Sequence, residues 1–129
     1  MGDNIQDPIN IEPSKLVGKT VVKVVKETGS TRGTDAICLI MDDSTNILVV
    51  LDGDCCSGSY FEDKNQFDEL IGSKITEVLE EEDRTEDNGA WERIIWSFLK
   101  FTTDKGHVTI DWRNESNGYY SGWVKFFKI

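Results

Sequence analysis

The chain is poor in proline, cysteine and histidine, and this scarcity limits the classes of protein to which it can belong. Its 129 residues include 2 prolines, 3 cysteines and 1 histidine, while 38% of the residues are apolar and 29% are charged. Such a composition excludes a disordered tail, a collagen-like fibre and a low-complexity linker. A chain of this length buries roughly two thirds of its unfolded surface, so we expect one domain with a real core.

The cysteines and the apolar runs bear on location. Cys38, Cys55 and Cys56 form an odd set without a spaced framework, which argues against a secreted disulfide scaffold. Residues 1–8 are acidic and lack the apolar core of a signal peptide, and the longest apolar runs are too short to span a bilayer. We therefore expect a soluble protein of the reducing cytoplasm with no membrane partner.

Basic residues are also scarce. There are 14 of them against 24 acidic residues, a formal net charge of -10, which repels DNA and anionic lipid. We expect no direct contact with nucleic acid. Residues 77–92 hold eight acidic residues against Arg84, whereas residues 93–129 hold six basic residues against three acidic ones. The acidic stretch is typical of a solvated strand end and loop, or of a surface that mimics phosphates in a partner's nucleic-acid groove.

Alternating apolar and β-branched residues predict a mainly β fold. The predicted strands lie at residues 15–26, 36–41, 46–51, 74–80, 91–102, 107–113 and 119–127, with a polar loop at 83–89. The turn cluster at 42–45 predicts that its flanking strands pair as a hairpin, and residues 104–106 form a tight turn between the strands at 91–102 and 107–113. Asn117-Gly118 is a strong hairpin signal and predicts that the last strand returns along the one before it. We expect a bent antiparallel sheet or small β-roll of about six or seven strands, forming one β-rich domain over residues 15–129 after a flexible arm at residues 1–14.

One short helix is predicted at residues 64–71. Asp63 is a good N-cap, and Gln66 stands three residues later, as in a capping box. Phe67, Leu70 and Ile71 would form one apolar face, and Gly72 would end the helix in the left-handed conformation.

Two segments, residues 52–60 and 112–121, combine small residues, hydrogen-bond donors and aromatic rings. That mixture is typical of a polar binding site, because the rings can stack on a base while hydroxyl and amide groups bind sugar or phosphate. The predicted ligand-binding residues are Asp54, Cys55, Cys56, Tyr60, Trp112, Ser116, Asn117, Tyr119 and Tyr120. Structural alternatives stay open: a turn at Asn117-Gly118, packing of the cysteine pair, and backbone capping by Asp52 and Asp54.

A family resemblance rests on five motifs. They are Asp-Cys-Cys at 54–56, Phe-Asp-Glu-Leu-Ile-Gly at 67–72, Trp-Ser-Phe-Leu-Lys-Phe at 96–101, Gly-His-Val-Thr-Ile-Asp-Trp at 106–112 and Ser-Asn-Gly-Tyr-Tyr-Ser at 116–121. The chain resembles, from about Leu16 to Phe126, a family of small bacteriophage and prophage proteins classed as a domain of unknown function. The acidic stretch at 81–90 and the pair Arg113-Asn114 depart from that pattern. The resemblance implies a phage-type origin and names no activity.

Three functions follow as hypotheses. The first is a non-enzymatic binding protein that acts on the host, against a defence system, by sequestering a nucleotide-like small molecule without a cofactor or metal. The second is an acidic inhibitor that binds a host protein through Glu80, Glu81 and Glu82. The third is a small hydrolase that uses Asp54, Cys55 or Cys56 together with His107, which would activate a cysteine as its base. Open sheet edges also allow a homo-oligomer.

Overall fold

Strands and two short 3₁₀ helices make up the regular structure. A computed structural model of the protein describes residues 9–26, 35–53, 58–87, 93–116 and 122–129. Within these ranges the strands are β1 (Ile9–Ile11), β2 (Val21–Val25), β3 (Asp35–Met41), β4 (Asn46–Gly53), β5 (Gly58–Phe61), β6 (Ile75–Asp87), β7 (Arg93–Thr103), β8 (Gly106–Ser116) and β9 (Gly122–Lys128). The 3₁₀ helices span Pro13–Leu16 and Lys64–Leu70, and the second is called the central helix below.

The strands form two antiparallel sheets. The first sheet has the order β1-β9-β4-β3-β2, and the second has the order β5-β8-β7-β6. The predicted mainly β, antiparallel class is confirmed. The β3–β4 and β7–β8 hairpins pair as predicted, and Gly106 adopts the positive φ of 126° that the turn between β7 and β8 requires.

The two sheets share one hydrophobic core. Alternate residues of β3, β4, β7 and β8 are buried, because successive side chains of a strand point to opposite faces. The central helix adds Phe67, which is fully buried. Its ring makes edge-to-face contacts with Phe61 at a centroid distance of 5.1 Å and with Phe101 at 6.4 Å, so the helix joins β5 and β7 in the core.

The predicted helix is present as a 3₁₀ helix. Asp63 caps it by accepting a hydrogen bond from the Asn65 N–H at 2.9 Å, and Gly72 follows it with a φ of 83°. The capping-box role predicted for Gln66 is wrong. Its side-chain amide instead donates to Asp111 Oδ2 and accepts from the Asp111 N–H, both at 2.9 Å. This double contact ties the helix to β8.

The predicted pairing of the last two strands is also wrong. β8 is hydrogen-bonded to β7 on one side and to β5 on the other, so both of its edges are occupied. β9 crosses to the first sheet, where it pairs with β4 and β1 and buries Phe126. Residues 117–121, including the Asn-Gly pair, lie outside the described residues. The unpredicted strand β5 takes the place that the hairpin signal assigned to β9.

The arm predicted at residues 1–14 has regular structure in its second half. β1 pairs with β9, and the first 3₁₀ helix buries Leu16 in the core. The strand predicted at 15–26 therefore begins later, at Val21, after Gly18 has turned the chain with a φ of 91°. Residues 1–8 lie outside the described residues. Short apolar segments such as Ile9–Ile11 carry too little periodicity to be recognised without their partner strand.

The predicted acidic loop at 83–89 is replaced by strand as far as Asp87. β6 is 13 residues long and pairs with β7 from Ile75↔Thr103 to Asp87↔Arg93. Register shifts near Glu77 and between Glu82 and Arg84 adjust the pairing. The low β-propensity of the acidic residues is overridden because β7, which is aromatic and β-branched, offers a continuous edge.

Candidate ligand-binding site

An arginine lies between two aromatic rings on the outer face of the second sheet. Tyr60, Arg113 and Trp96 occupy neighbouring positions of β5, β8 and β7, because Tyr60 pairs with Arg113 and Arg113 pairs with Trp96. The residues flanking Arg113 in sequence are Trp112 and Asn114, which are buried, so Arg113 points away from the core. Its guanidinium carbon lies 3.8 Å from the Trp96 ring centroid and 5.9 Å from that of Tyr60. We call these three residues the aromatic–arginine row.

Carboxylates surround the row. Glu62 forms an ion pair with Arg113 through Oε1 and Nε. The Tyr60 hydroxyl donates to Glu115 Oε1 at 3.0 Å, and partial burial together with this carboxylate raises the pKa of Tyr60. A cavity of about 280 Å³ beside the row is lined by Glu62, Trp96, Ser97, Asp111 and Arg113. The site therefore offers flat rings for stacking and carboxylate oxygens that accept hydrogen bonds.

The residues predicted for one ligand site do not all share a face. Tyr60 is on the outer face, whereas Trp112 is on the inner face and only 3% exposed. Ser116 ends β8. Asp54, Cys55, Cys56, Asn117, Tyr119 and Tyr120 lie outside the described residues. The structure does not bring Tyr60 and Trp112 to one face, because Trp112 opposes Phe61 rather than Tyr60 in the pairing of β8 with β5.

The strand ends that bracket the two predicted segments nevertheless meet. Gly53 pairs with Gly122, and Gly58 pairs with Glu115. Beneath them lies a buried polar cluster, in which Asn114 Nδ2 donates to Ser59 Oγ at 2.9 Å and Ser59 Oγ donates to the Asp52 carbonyl at 3.1 Å. The cluster ties the ends of β4, β5 and β8 together at one end of the two sheets.

Asp52 has a local role that the sequence left open. Its Oδ1 accepts a hydrogen bond from the Gly53 N–H at 2.8 Å, and its Oδ2 lies 3.7 Å from Lys125 Nζ. This supports backbone capping by Asp52. Among the residues that the structure describes, no group of three histidine, cysteine, aspartate or glutamate side chains is placed to hold a metal ion.

The predicted partner-binding glutamates lie on β6, at the edge of the second sheet. Glu80, Glu81 and Glu82 line a second cavity, of about 390 Å³, together with Ile95, Ser97, Trp112 and Gly122. Glu80 is exposed as a residue, yet its carboxyl group accepts a hydrogen bond from the Val124 N–H of β9. Burial of the carboxyl raises its pKa, and the hydrogen bond offsets part of that rise. The three glutamates predicted to bind a partner therefore line the same cavity as Trp112, which was predicted to bind a ligand.

The histidine proposed for a hydrolase lies at the far end of β8. His107 pairs with Thr102, and its Nδ1 is 3.1 Å from the Thr102 hydroxyl. Glu115, which pairs with Gly58 beside the Cys55-Cys56 segment, is eight residues further along β8, or about 27 Å in an extended strand. The structure therefore does not bring His107 to the strand ends that bracket this segment. The described cysteine, Cys38, has its pKa raised by burial, which does not favour the reactive thiolate.

Arg113, Trp96 and Glu62 were not among the predicted ligand residues, although a signal for two of them existed. Side chains alternate between the two faces of β8, so Arg113 points outward where Trp112 points inward. The same alternation in β7 places Trp96 on the outer face of the sheet. Their meeting depends on the register between β7 and β8, which one sequence does not reveal.

Comparison with known proteins gives a family without an activity. A family model described as a domain of unknown function (DUF7448) matches residues 14–126. No curated protein and no solved structure matches the chain significantly. In the part of the chain that the structure describes, no helix is long and apolar enough to cross a bilayer.

Proposed function

Because the chain belongs to the DUF7448 family, which carries no assigned activity, we propose its function from the site: it is a non-enzymatic binding protein that holds a nucleotide-like small molecule. The observation that carries the proposal is the aromatic–arginine row, with the Arg113 guanidinium 3.8 Å above Trp96 and the adjoining cavity open beside it. Planar rings held in this way bind the flat face of a base, and stacking is tolerant of base identity.

The carboxylates of the site favour contact with the base of a nucleotide over contact with its phosphate groups. Glu62 and Asp111 line the cavity and accept hydrogen bonds from ring N–H and exocyclic amino groups of a base. They also repel phosphate groups, as does the formal net charge of -10. We therefore infer that the ligand presents its base to the site and carries little negative charge, and that nucleosides and monophosphates bind more tightly than triphosphates.

We place this activity in a host cell because of the phage-type resemblance. A phage or prophage protein that sequesters a nucleotide-like signal in the cytoplasm would act against a host defence system without any reaction of its own. Asp54, Cys55, Cys56, Asn117, Tyr119 and Tyr120 remain proposed ligand contacts, since the described strand ends that bracket them meet beside β5 and β8.

Binding by the row is tested with a pair of tryptophan variants. We expect Trp96→Ala to weaken binding of adenosine, guanosine or their 5′-monophosphates by about tenfold or more, because stacking is worth about 1–3 kcal/mol per base. The measurement is isothermal titration calorimetry. Trp123→Ala is the matched control, since Trp123 is also half-buried and has a cation, Lys125 Nζ, 5.8 Å from its ring centroid. Equal weakening in both variants, or none in Trp96→Ala, would contradict the proposal.

A second candidate function rests on the edge position of β6. We propose, as the alternative, that its acidic residues bind a basic host protein. Glu81 and Glu82 are exposed on the edge strand of the second sheet, and the outer edge of that strand is hydrogen-bonded at Ile75 to Gly18 and Lys19. Acidic side chains also protect a sheet edge from pairing with another chain, so exposure by itself does not decide between partner binding and edge protection.

Charge reversal separates these two roles. We expect Glu81→Lys/Glu82→Lys to abolish capture of a basic host protein by the immobilised protein while the thermal transition stays in place. Glu80 is left unchanged because its carboxylate accepts a hydrogen bond from the Val124 N–H. Glu12→Lys/Glu69→Lys makes the same change in net charge on other elements and should keep the partner. Retention of the partner by both variants would leave edge protection as the role of the acidic residues.

A further inference from the structure

The cavity beside β6 lies on the opposite face of the second sheet from the aromatic–arginine row. Its volume of about 390 Å³ is at the lower end of the range of ligand pockets, which is about 300–1,000 Å³. Among the described residues, Ser97 alone lines both this cavity and the one beside the row. An occupant of this cavity is therefore a different ligand from the one proposed above, and the inference does not depend on that proposal.

Three residues form a line across the cavity on the inner face. Trp112 of β8 pairs with Ser97 of β7, and Ser97 pairs with Glu82 of β6. Trp112 and Ser97 are buried, whereas Glu82 is exposed. Glu80 lies two residues before Glu82, on the same side of the strand. The cavity is therefore lined by an indole ring at one end and by two carboxylates at the other.

The second observation is an unpaired donor. Trp112 is 3% exposed, and its indole Nε1–H has no hydrogen-bond acceptor among the residues that the structure describes. Buried polar groups are nearly always paired, and one that is not calls for an explanation such as a bound molecule. Trp112 lines the cavity, so a ligand that supplies an acceptor oxygen there would satisfy the indole. The carboxylates at the other end favour a cationic group over an anionic one.

We propose that this cavity binds a small organic cation that also carries an acceptor oxygen. A guanidinium or ammonium group would pair with Glu82 and Glu80, since charge-assisted hydrogen bonds are the strongest available there. The oxygen would accept from Trp112 Nε1–H at the opposite end of the cavity. The cavity volume suits a compound of amino-acid size.

Argininamide is the probe, because it combines a guanidinium group with a carbonyl oxygen. We expect calorimetry to show binding that Glu82→Gln weakens by about tenfold or more, which corresponds to the loss of one charge-assisted hydrogen bond. Glu77→Gln is the control. It removes the same charge from the same strand, and Glu77 does not line the cavity, so it should leave the affinity within about twofold. Equal weakening by both variants would assign the effect to the acidic surface as a whole and overturn the proposal.

The indole signal of Trp112 tests the second contact in the unchanged protein. Four indole N–H signals are expected in a ¹⁵N correlation spectrum, and single Trp→Phe variants assign them. Argininamide should move the Trp112 signal downfield as its N–H gains an acceptor. Agmatine lacks the carbonyl oxygen and should bind more weakly without that shift. A Trp112 signal that stays in place on saturation with argininamide, or the absence of binding at millimolar concentrations, would refute the site.

Discussion

We expect the Asp35→Ala variant to lose about 2–4 kcal/mol of unfolding free energy, because one buried carboxylate links the two sheets. Asp35 is 9% exposed. Its Oδ2 accepts from the Phe61 N–H at 3.1 Å, and its Oδ1 accepts from the Ala36 N–H at 3.0 Å. Oδ1 also pairs with Lys64 Nζ at 2.6 Å. Alanine leaves the buried Phe61 N–H without this acceptor, which is the costly half of a broken hydrogen bond.

Urea unfolding of paired variants measures this loss. Asp68→Ala is the control, because Asp68 pairs with Lys26 at the same distance of 2.6 Å, but its side chain is 46% exposed. An exposed ion pair is worth about 1 kcal/mol or less. Asp35→Asn should fall between alanine and wild type, since the amide oxygen keeps one acceptor and loses the charge. If Asp35→Ala and Asp68→Ala were equally mild, the connection between the sheets would reside elsewhere.

The second large effect is expected at a glycine. A Cβ at position 122 would lie 2.3 Å from Ser59 Oγ, 2.6 Å from Asn114 Nδ2 and 3.0 Å from the Asp52 carbonyl oxygen. Gly122→Ala therefore forces the buried polar cluster apart, and we expect a loss of about 2–4 kcal/mol from overpacking and broken hydrogen bonds.

Chemical denaturation again gives the measurement, with a close control. A Cβ at Gly58 meets nothing within 4 Å, so Gly58→Ala should change the stability by less than about 1 kcal/mol. Placing Gly122→Ala in a Ser59→Ala background removes the nearest obstruction, and the further loss should then be smaller than in the wild type. A Gly122→Ala variant as stable as Gly58→Ala would show that the buried polar cluster rearranges around the new methyl group with little loss of unfolding free energy.

The sequence predicted the elements whose information is local. The period of two in β7 and β8, the turn at Gly106 and the stop at Gly72 all depend on residues within a few positions of one another. The Asn117-Gly118 signal failed because β8 gives one edge to its hairpin partner β7 and the other to β5, a strand distant in sequence. β6 was predicted to end early for the same reason, since its acidic half is held by the edge of β7.

The residues of the candidate site also differ in whether local sequence indicated them. Tyr60 was recognised because it follows a polar, small-residue segment that is unusual in a scaffold. Arg113 and Trp96 were not selected, since an arginine and a tryptophan far apart in sequence acquire meaning only when the sheet register stacks them. Glu80 gave no sign of its contact with the Val124 N–H, because that contact spans two sheets whose proximity the sequence did not reveal.

The position of β9 has a consequence for synthesis on the ribosome. β9 lies between β1 and β4, and Ile11 pairs with Phe126, a separation of about 115 residues that makes closure slow. During synthesis, β1 and one edge of β4 stay unpaired until β9 leaves the ribosome, after all the other strands that the structure describes. The β7–β8 hairpin needs only residues 93–116, so it is complete while the first sheet is still open. A pause in translation before β9 would therefore expose an unfinished sheet edge to chaperones or to another copy of the chain.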